Sequence, residues 1–190
     1  TRGRSTQADQ FQPGTLTLRI VDQLGYFNPQ NAAGPYYGLL NPGIKIQIGA
    51  TYSGVYYPIG LFYATSFDYQ IPANISTSVA MTTIRGADAF RLLNLAAVTT
   101  VSGTSAGQTT GARIANLLDM MSWPSSMRDL DTGDTTVIAD TSAVRTVLNA
   151  CQNLESTELG AFYIDKLGNV AFKSRTNTQT SVAATPTVFP

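Results

Sequence analysis

Three aspartates lie close together in a polar stretch of the sequence, at positions 129, 131 and 134. Carboxylates at alternating positions are typical of calcium loops, and Asp129-x-Asp131 begins like the pattern D-x-[DN]-x-[DN]-G. The third ligand position is Gly133, however, and no glutamate closes a twelve-residue loop. We therefore predict a solvated turn with no metal and no cofactor, and Asp129, Asp131 and Asp134 remain only weak metal candidates.

The sequence contains no histidine and one cysteine, Cys151. Histidine is the commonest general base and metal ligand, so Ser-His-Asp catalysis, Cys-His catalysis and most zinc sites are excluded. Cys151 falls on an apolar helical face, which predicts a buried thiol and not a nucleophile. Glycoside hydrolysis needs only two carboxylates, so the residue types present do not exclude it. The other acidic residues show no local arrangement of that kind, and we predict that the chain is not an enzyme. They include Asp9, Asp22, Asp68, Asp88, Glu155 and Glu158.

Aromatic residues cluster between positions 52 and 63. The cluster consists of Tyr52, Tyr56, Tyr57, Phe62 and Tyr63. Tyrosine offers a large contact area at little entropic cost, so the cluster suits protein contacts, and a carbohydrate platform would use the same residues. We expect about half of these side chains to lie in the core. Trp123 precedes Pro124 and is expected to close a core edge, with sugar binding as the alternative.

The composition indicates a folded domain without an obvious charged partner. Hydrophobic residues make up 43% of the chain, which is enough for a core, and the net charge is zero. No segment is strongly basic, so the electrostatic signature of nucleic-acid binding is missing. No apolar run approaches the roughly 20 residues of a membrane span.

The first part of the sequence predicts short strands. Leu16, Leu18 and Ile20 alternate with polar residues in 15–21, and isoleucines alternate in the same way in 44–48. Residues 22–43 between them are rich in Asn, Gly and Pro and predict a long loop. Ser53-Gly54 predicts a hairpin turn, and Pro58 is expected to end the return strand or to place it at an edge.

Two further strand regions follow, at 59–69 and at 75–85, the second with Val79, Met81 and Thr83 on one face. Several short strands separated by turns are typical of a β-barrel or sandwich. We assign this β-barrel or sandwich domain to residues 1–86.

The second part of the sequence predicts helices and a hairpin. A helix is expected over 87–97, a second one after Thr110 that ends before Pro124, and a third one with Ser142 as its N-cap. Their predicted inner faces are Phe90, Leu93 and Ala97, then Ile114, Leu117, Leu118 and Met121, then Val144, Val147, Leu148, Cys151 and Leu154. Residues 161–172 predict a hairpin around Gly168-Asn169.

The predicted fold class is therefore α+β and mainly β, with a β-barrel or sandwich followed by a small helix-plus-hairpin domain. Residues 87–175 form the helix-containing insertion domain with its C-terminal hairpin. Residues 176–190 are rich in Thr, Ser and Ala and are expected to be a linker or arm toward a further domain.

Several motifs, in their order and spacing, resemble a known family. In the first part they are Phe11-Gln12-Pro13-Gly14, Gly25-Tyr26-Phe27-Asn28-Pro29 and Leu40-Asn41-Pro42-Gly43; in the second part they are Thr110-Gly111-Ala112-Arg113-Ile114, Trp123-Pro124, Asp131-Thr132-Gly133-Asp134-Thr135 and Gly160-Ala161-Phe162-Tyr163-Ile164-Asp165. The set is similar to the minor tail proteins, or baseplate hubs, of siphophages of actinobacteria. Pro13, Tyr26 and Asn28 depart from that pattern, in which Ala, Arg and Asp are common.

The resemblance implies a structural component of a bacteriophage tail tip that connects the tail tube to tip and host-recognition proteins. It implies a ring, commonly a trimer, within the virion, with distal tail and tape measure proteins as partners and the host cell surface as a further contact. The helical part would be an insertion between two barrels, the second one beyond residue 190.

The 22–43 loop is the predicted place for a partner, because loops of this length usually serve a function. Its interface candidates are Tyr26, Phe27, Asn28, Pro29, Tyr36 and Tyr37, and we expect contact with another subunit or protein to order it. Two alternatives stay open: a carbohydrate- or receptor-binding module of a phage tail, and a tail-associated cell-wall hydrolase. The missing histidine argues against the amidase and Cys-His peptidase forms of the hydrolase.

Overall fold

A computed structural model describes residues 10–71 and 79–183 of the chain. Two compact units are distinguished. The first comprises Pro13–Ala89 with Lys166–Gly168, and the second comprises Phe90–Asp165 with residues 10–12 and the described residues from Asn169 onward. More of the described residues lie in strands than in helices, so the predicted α+β, mainly β fold class is confirmed.

The elements follow one another along the chain with strands first and helices interspersed later. They are β1 (Thr15–Val21), β2 (Lys45–Tyr52), β3 (Val55–Gln70), β4 (Met81–Ala87), α1 (Ala89–Leu95), β5 (Ala97–Val98), β6 (Gln108–Thr109), α2 (Thr110–Met120), β7 (Arg128–Leu130), β8 (Thr136–Val137), β9 (Arg145–Thr146), α3 (Val147–Glu158), β10 (Ala161–Ile164), β11 (Val170–Lys173) and α4 (Arg175–Ala183). A 3₁₀ turn at Ser125–Met127 precedes β7.

The first unit is built on one antiparallel sheet in the order β1-β4-β3-β2, which curls into half of a barrel. Burial alternates along β1, with Leu16, Leu18 and Ile20 half-buried and their neighbours exposed, as the period-two pattern predicts. On β4 the buried side chains are Thr82 and Ile84. Val79, Met81 and Thr83 belong to the more exposed alternation, and residues 75–78 of that predicted strand lie outside the described residues.

β2 and β3 form a long hairpin whose turn is Ser53-Gly54, as predicted. Both turn residues have positive φ, 48° and 77°, which matches the twist of the flanking strands. The expectation that Pro58 ends the strand is wrong, because β3 runs through it to Gln70. Pro58 pairs with Gly49 beside a register shift, and β4 joins β3 only from Tyr63 onward. A proline is tolerated at such a bulge on a strand edge, which was the other expectation.

Helices α1 and α2 pack their predicted apolar faces. Phe90 and Leu93 of α1 are buried, and so are Ile114, Leu117 and Leu118 of α2. Met121, also predicted for the face of α2, is the C-cap that follows the helix and is half-buried. Ala97 is not part of the α1 face: α1 ends at Leu95, and Ala97 is an exposed residue of β5, which pairs with β9. The pairing of the chain with a strand therefore ends the helix earlier than the pattern predicts.

The third helix starts four residues later than predicted. Its N-cap is Thr146, whose hydroxyl accepts a hydrogen bond from the Asn149 amide at 3.1 Å. Ser142 has a left-handed backbone, φ 54°, and Val144 is 80% exposed. Since β9 occupies residues 145 and 146, the helix can only begin after that strand. The rest of the predicted face, Val147, Leu148, Cys151 and Leu154, is buried.

The predicted hairpin forms as β10 and β11, with β7 added in parallel to β11. Phe162 faces Phe172 across the pair, and the ring of Phe162 stacks on that of Phe90 with centroids 5.5 Å apart. Trp123 is buried as expected, and its indole N–H donates to the Met127 carbonyl at 3.2 Å. These aromatic contacts make the core of the second unit.

The end of the described chain differs from the prediction. Residues 175–183 form the helix α4, where the sequence indicated a linker or arm. Residues 184–190 of that predicted arm lie outside the described residues. Nowhere in 10–71 or 79–183 is there a helix both long and apolar enough to cross a membrane.

Candidate functional site

The three aspartates predicted as weak metal candidates lie around the start of α4. Asp131 accepts hydrogen bonds from the Ser174 amide at 2.9 Å and from the Asn177 side chain at 2.8 Å. Asp134 accepts one from the Thr176 amide at 2.9 Å. Asp129 lies further out, where its carboxylate is 2.7 Å from the Lys173 ammonium. The acidic turn, which we define as residues 131–135, therefore caps a helix.

A fourth carboxylate, Glu158 at the end of α3, completes this cap. Its Oε1 accepts from the amides of Asp134 at 2.9 Å and Arg175 at 3.3 Å. Its Oε2 accepts from the Thr135 amide at 2.9 Å and from the Thr110 hydroxyl at 2.8 Å. Glu158 is fully buried, and one carboxylate thereby joins α2, α3, α4 and the acidic turn.

The first turn of α2 packs directly on the acidic turn. The Gly111 amide donates to the Thr132 carbonyl at 3.0 Å. A Cβ on Gly111 would lie 1.9 Å from the Asp131 carbonyl oxygen, so no larger residue fits there. Gly133 has φ +86°, and a Cβ at this position would lie 2.0 Å from the Thr110 hydroxyl oxygen. The two motifs Thr110–Ile114 and Asp131–Thr135 are thus packed against each other.

Hydrogen bonds lower the pKa of three carboxyls, those of Asp131, Asp134 and Glu158. Burial raises the pKa of Glu158, but the donors from Asp134, Thr110, Thr135 and Arg175 outweigh it, so the net pKa is lowered. Burial is likewise outweighed at Asp131, where Ser174, Asn177 and Lys173 lower the pKa. The Thr176 amide is the main cause of the lowered pKa of Asp134. These three carboxyls are therefore ionised at neutral pH.

Among the described residues, these carboxylates form no recognisable catalytic geometry. They stabilise the backbone of the acidic turn and of the start of α4. Other buried acids do the same: Asp88 accepts from the Gly14 amide, and Glu155 accepts from the Phe162 amide at 3.0 Å. Within the described ranges, no group of three or more His, Cys, Asp or Glu side chains is placed to hold a metal ion. Burial raises the pKa of the Cys151 thiol, so the thiol is protonated at neutral pH.

The 22–43 loop of the first unit is organised by its own hydrogen bonds. Amides along it donate to the carbonyl three residues earlier, in an unbroken series of turns with distances of 2.9 to 3.2 Å. The series joins Asp22, Gly25, Asn28, Asn31, Gly34 and Tyr37. We call residues 22–37 the turn ribbon. These internal hydrogen bonds define the loop conformation, and the expectation that contact with another subunit or protein orders the loop stays a prediction.

The interface candidates lie on this turn ribbon. Tyr26 and Tyr36 are each 42% exposed and Tyr37 is 56% exposed. Phe27 is half-buried against Tyr36, with ring centroids 5.2 Å apart, and Asn28 accepts from the Gln30 amide at 3.0 Å. The turn ribbon therefore presents tyrosine rings on a preorganised backbone.

Asp22 anchors the turn ribbon to the sheet. Its side chain is buried and accepts from the Tyr26 amide at 2.7 Å, the Phe27 amide at 2.9 Å and the Thr82 hydroxyl at 2.8 Å. This role of Asp22 was not predicted from the sequence. The sequence does contain a signal for it, because Asp22 follows a predicted strand and precedes a turn that contains Gly25. Aspartate is preferred at such a position, since its side chain can accept hydrogen bonds from the backbone amides of the turn.

Replacing Asp22 with alanine should lower the free energy of unfolding by about 2 to 3 kcal/mol, because three donors lose a charged acceptor. Hydrogen exchange of the Tyr26 and Phe27 amides should accelerate at the same time. Asp68→Ala is the matched control, since Asp68 makes an exposed ion pair with Arg85 at 3.4 Å that should contribute less than about 1 kcal/mol. Equal effects of the two changes would contradict the anchoring role.

The five clustered aromatics divide between core and surface. Phe62 and Tyr63 are buried, whereas Tyr52, Tyr56 and Tyr57 are 75%, 52% and 51% exposed. The exposed ones belong to residues 49–59, where β2 and β3 extend beyond the reach of β4; we call this segment the tyrosine hairpin. The Tyr56 ring lies over Gly49, where a Cβ would overlap it at 2.3 Å. Val55 and Ile59 are also more than half exposed.

A polar cleft of about 690 Å³ lies between the turn ribbon and the second half of β3. Its lining comprises Asn28, Pro29, Gln30, Phe67, Asp68, Tyr69, Gln70 and Arg85. Amides, a carboxylate and aromatic rings are groups that sugar hydroxyls and sugar faces contact, so the carbohydrate-binding alternative stays open at this cleft.

No family model matches the chain, and no curated protein matches it. Among solved structures, the 43 kDa tail protein of prophage MuSo2 from Shewanella oneidensis is similar, with 13% sequence identity and a TM-score of 0.44. The similarity covers 88% of this chain and 47% of that protein, so the chain spans about half of its length.

Proposed function

We propose that this chain is a structural component of a bacteriophage tail tip, of the minor tail or baseplate hub type, and that it assembles as a ring. The assignment to a phage tail rests on the resemblance of residues 3–48 and 110–175 to that family. Two kinds of observation in the described residues support it: the organisation of the acidic turn and the surfaces of the first unit.

The tyrosine hairpin is the observation that carries the assembly proposal. The exposed side chains of Tyr52, Val55 and Tyr57 share one face of a two-stranded ribbon that extends past the rest of the sheet. Tyr56 lies on the opposite face, over Gly49. Isolated apolar residues are common on protein surfaces, but a contiguous set of this size usually marks an interaction site. Tyrosine is enriched at the centres of interfaces because it combines a large area with little entropy loss.

The sheet edges support a ring in particular. β1 and β2 are the outer strands of the sheet, and they differ in sequence and in length. Outer strands offer backbone groups that pair with another chain. A contact between two different edges is heterologous, and repeating it with a closing rotation generates a ring. A trimer is the number that the family resemblance implies.

The acidic turn supports a structural and non-enzymatic role. The residues that carry the resemblance in the second unit, Thr110–Ile114 and Asp131–Thr135, are engaged in capping and close backbone packing. Their chemistry is that of a rigid scaffold. We propose that the turn ribbon, with Tyr26, Tyr36 and Tyr37, meets a neighbouring tail-tip protein such as a distal tail or tape measure protein, and that the host cell surface is a further contact.

Replacing Tyr52 and Tyr57 with serine in the full-length chain should raise the concentration needed for half assembly by about tenfold or more, because tyrosines at interface centres often contribute more than about 1 kcal/mol each. Sedimentation velocity over a concentration series measures this shift. Leu95→Ser with Ile138→Ser is the matched control, since both residues are exposed apolar side chains of the second unit. Assembly that the tyrosine changes leave unaltered would contradict this surface.

A further inference from the structure

α4 is attached to the second unit through its first turn. Arg175, Thr176 and Asn177 are exposed, and so are Gln179 and Thr180. Across the described part of the chain, no other helix or strand packs extensively along α4. Burial of an apolar face, which stabilises most helices in proteins, therefore contributes little here.

The sequence of α4 is also a poor helix former. It reads Arg-Thr-Asn-Thr-Gln-Thr-Ser-Val-Ala, in which threonine, asparagine and serine predominate. These residues lose side-chain freedom in a helix or compete for backbone hydrogen bonds. Isolated helices shorter than about 12 residues are marginal in water even for alanine-rich sequences. α4 therefore needs a stabilising contact from elsewhere.

The only extensive set of contacts described for α4 is the carboxylate clamp, which we define as Asp131, Asp134 and Glu158. The clamp accepts the amides of Ser174, Arg175 and Thr176, one carboxylate for each. The Ser174 hydroxyl accepts the next amide, that of Asn177, at 3.2 Å. All four amides that a helix start leaves without partners are thus bound, and three of the acceptors are negative charges at the positive end of the helix dipole.

We propose that α4 is a conditional helix, formed only while the carboxylate clamp is ionised and intact, and that it reverts to extended chain when the clamp is lost while the rest of the second unit stays folded. A nucleus is the costly step in helix formation, and the clamp supplies it by fixing the first turn. The device makes the direction of the chain after Ser174 depend on charge.

The neighbours of the clamp set the condition under which it opens. Lys173 on β11 faces Asp131 at 3.4 Å and Asp129 on β7 at 2.7 Å. Arg175 on α4 faces Asp134, and the Tyr163 phenol on β10 faces Asp129 and Asp131. The clamp carboxyls have a lowered pKa, so they stay charged at neutral pH and lose the charge only as the pH falls below their ordinary range near 4. α4 should accordingly be lost in acid, before the hairpin β10–β11.

The test uses two variants of the full chain. One is the double variant that combines Asp131→Ala and Asp134→Ala, and the other is the single variant Asp129→Ala. Asp129 is the matched control because it shares Lys173 with Asp131 but accepts no amide of α4. Backbone NMR assignments give the Cα shifts of residues 175–183 and of β10 and β11. The double variant should lose most of the helical shift in 175–183 and keep the strand shifts, while the control keeps both.

Three results would overturn the proposal. One is a double variant whose residues 175–183 keep the helical shifts of the wild-type chain. Another is a loss of the same size in Asp129→Ala. The third is an acid titration of the wild-type chain in which 175–183 and the β10–β11 hairpin lose their structure together. Asp134→Ala alone, an exposed change, gives the same comparison if the double variant does not fold.

Discussion

Replacing Gly111 with alanine should lower the free energy of unfolding by about 3 kcal/mol or more. A Cβ at this position would lie 1.9 Å from the Asp131 carbonyl oxygen and 2.6 Å from that of Thr132, and both are backbone atoms that a rotamer change cannot move. From the sequence alone the opposite result is expected, because alanine is better than glycine in a helix by about 1 kcal/mol. Urea unfolding followed by circular dichroism measures the change.

Gly107→Ala is the matched control for this experiment. Gly107 lies just before α2 and has φ +82°, but no atom lies within 4 Å of the position its Cβ would take. Alanine there should lower the free energy of unfolding by only about 1 to 2 kcal/mol, which is the cost of a left-handed backbone for a residue with a Cβ. If Gly111→Ala were as stable as the wild-type chain or more so, the close packing of α2 on the acidic turn would be contradicted.

Replacing Glu158 with glutamine should lower the free energy of unfolding by about 3 to 5 kcal/mol at neutral pH, since four donors share this buried carboxylate. The glutamine amide keeps the size of the side chain, but its NH₂ group would face backbone N–H donors. Asp68→Asn is the control, because both side chains of the ion pair between Asp68 and Arg85 are exposed and the pair should contribute less than about 1 kcal/mol.

The same comparison has a defined pH dependence. The pKa of Glu158 is lowered in the folded state, so its stabilising contribution is complete above the unfolded value of 4.5 and is lost as the pH falls through the folded value. The difference between the wild-type chain and Glu158→Gln should therefore be largest near neutral pH and should shrink below pH 4.5. A difference that stays constant into acid would show that charge is not what Glu158 contributes.

Regular periodicity made much of the fold predictable. The alternation in β1 and β2 and the helical spacing of Ile114, Leu117 and Leu118 each follow from one buried face, which the sequence records directly. The starts and ends of helices were predicted less well. The N-cap of α3 is Thr146 and not Ser142, because the two residues of β9 pair with β5, and such a pairing of distant segments leaves no local pattern.

The acidic turn shows what the sequence could and could not indicate. The closeness of Asp129, Asp131 and Asp134 was visible, and the sequence predicted a solvated turn with cation binding as the weak alternative. Asp131 and Asp134 instead bind the start of α4, where the Thr176 amide is 42 residues beyond Asp134, in a segment whose composition predicted a linker. Glu158 could not be paired with the acidic turn, because its contacts join four elements that only the tertiary fold brings together.

We propose that this chain assembles through the first unit, and the mass of the chain in solution is the direct test of that assembly. Native mass spectrometry and light scattering at high protein concentration give that mass. We expect a closed particle whose mass is a whole multiple of that of the single chain, threefold for a trimer, and the change of Tyr52 and Tyr57 to serine should dissociate it. A strictly monomeric chain at the highest concentrations would contradict it.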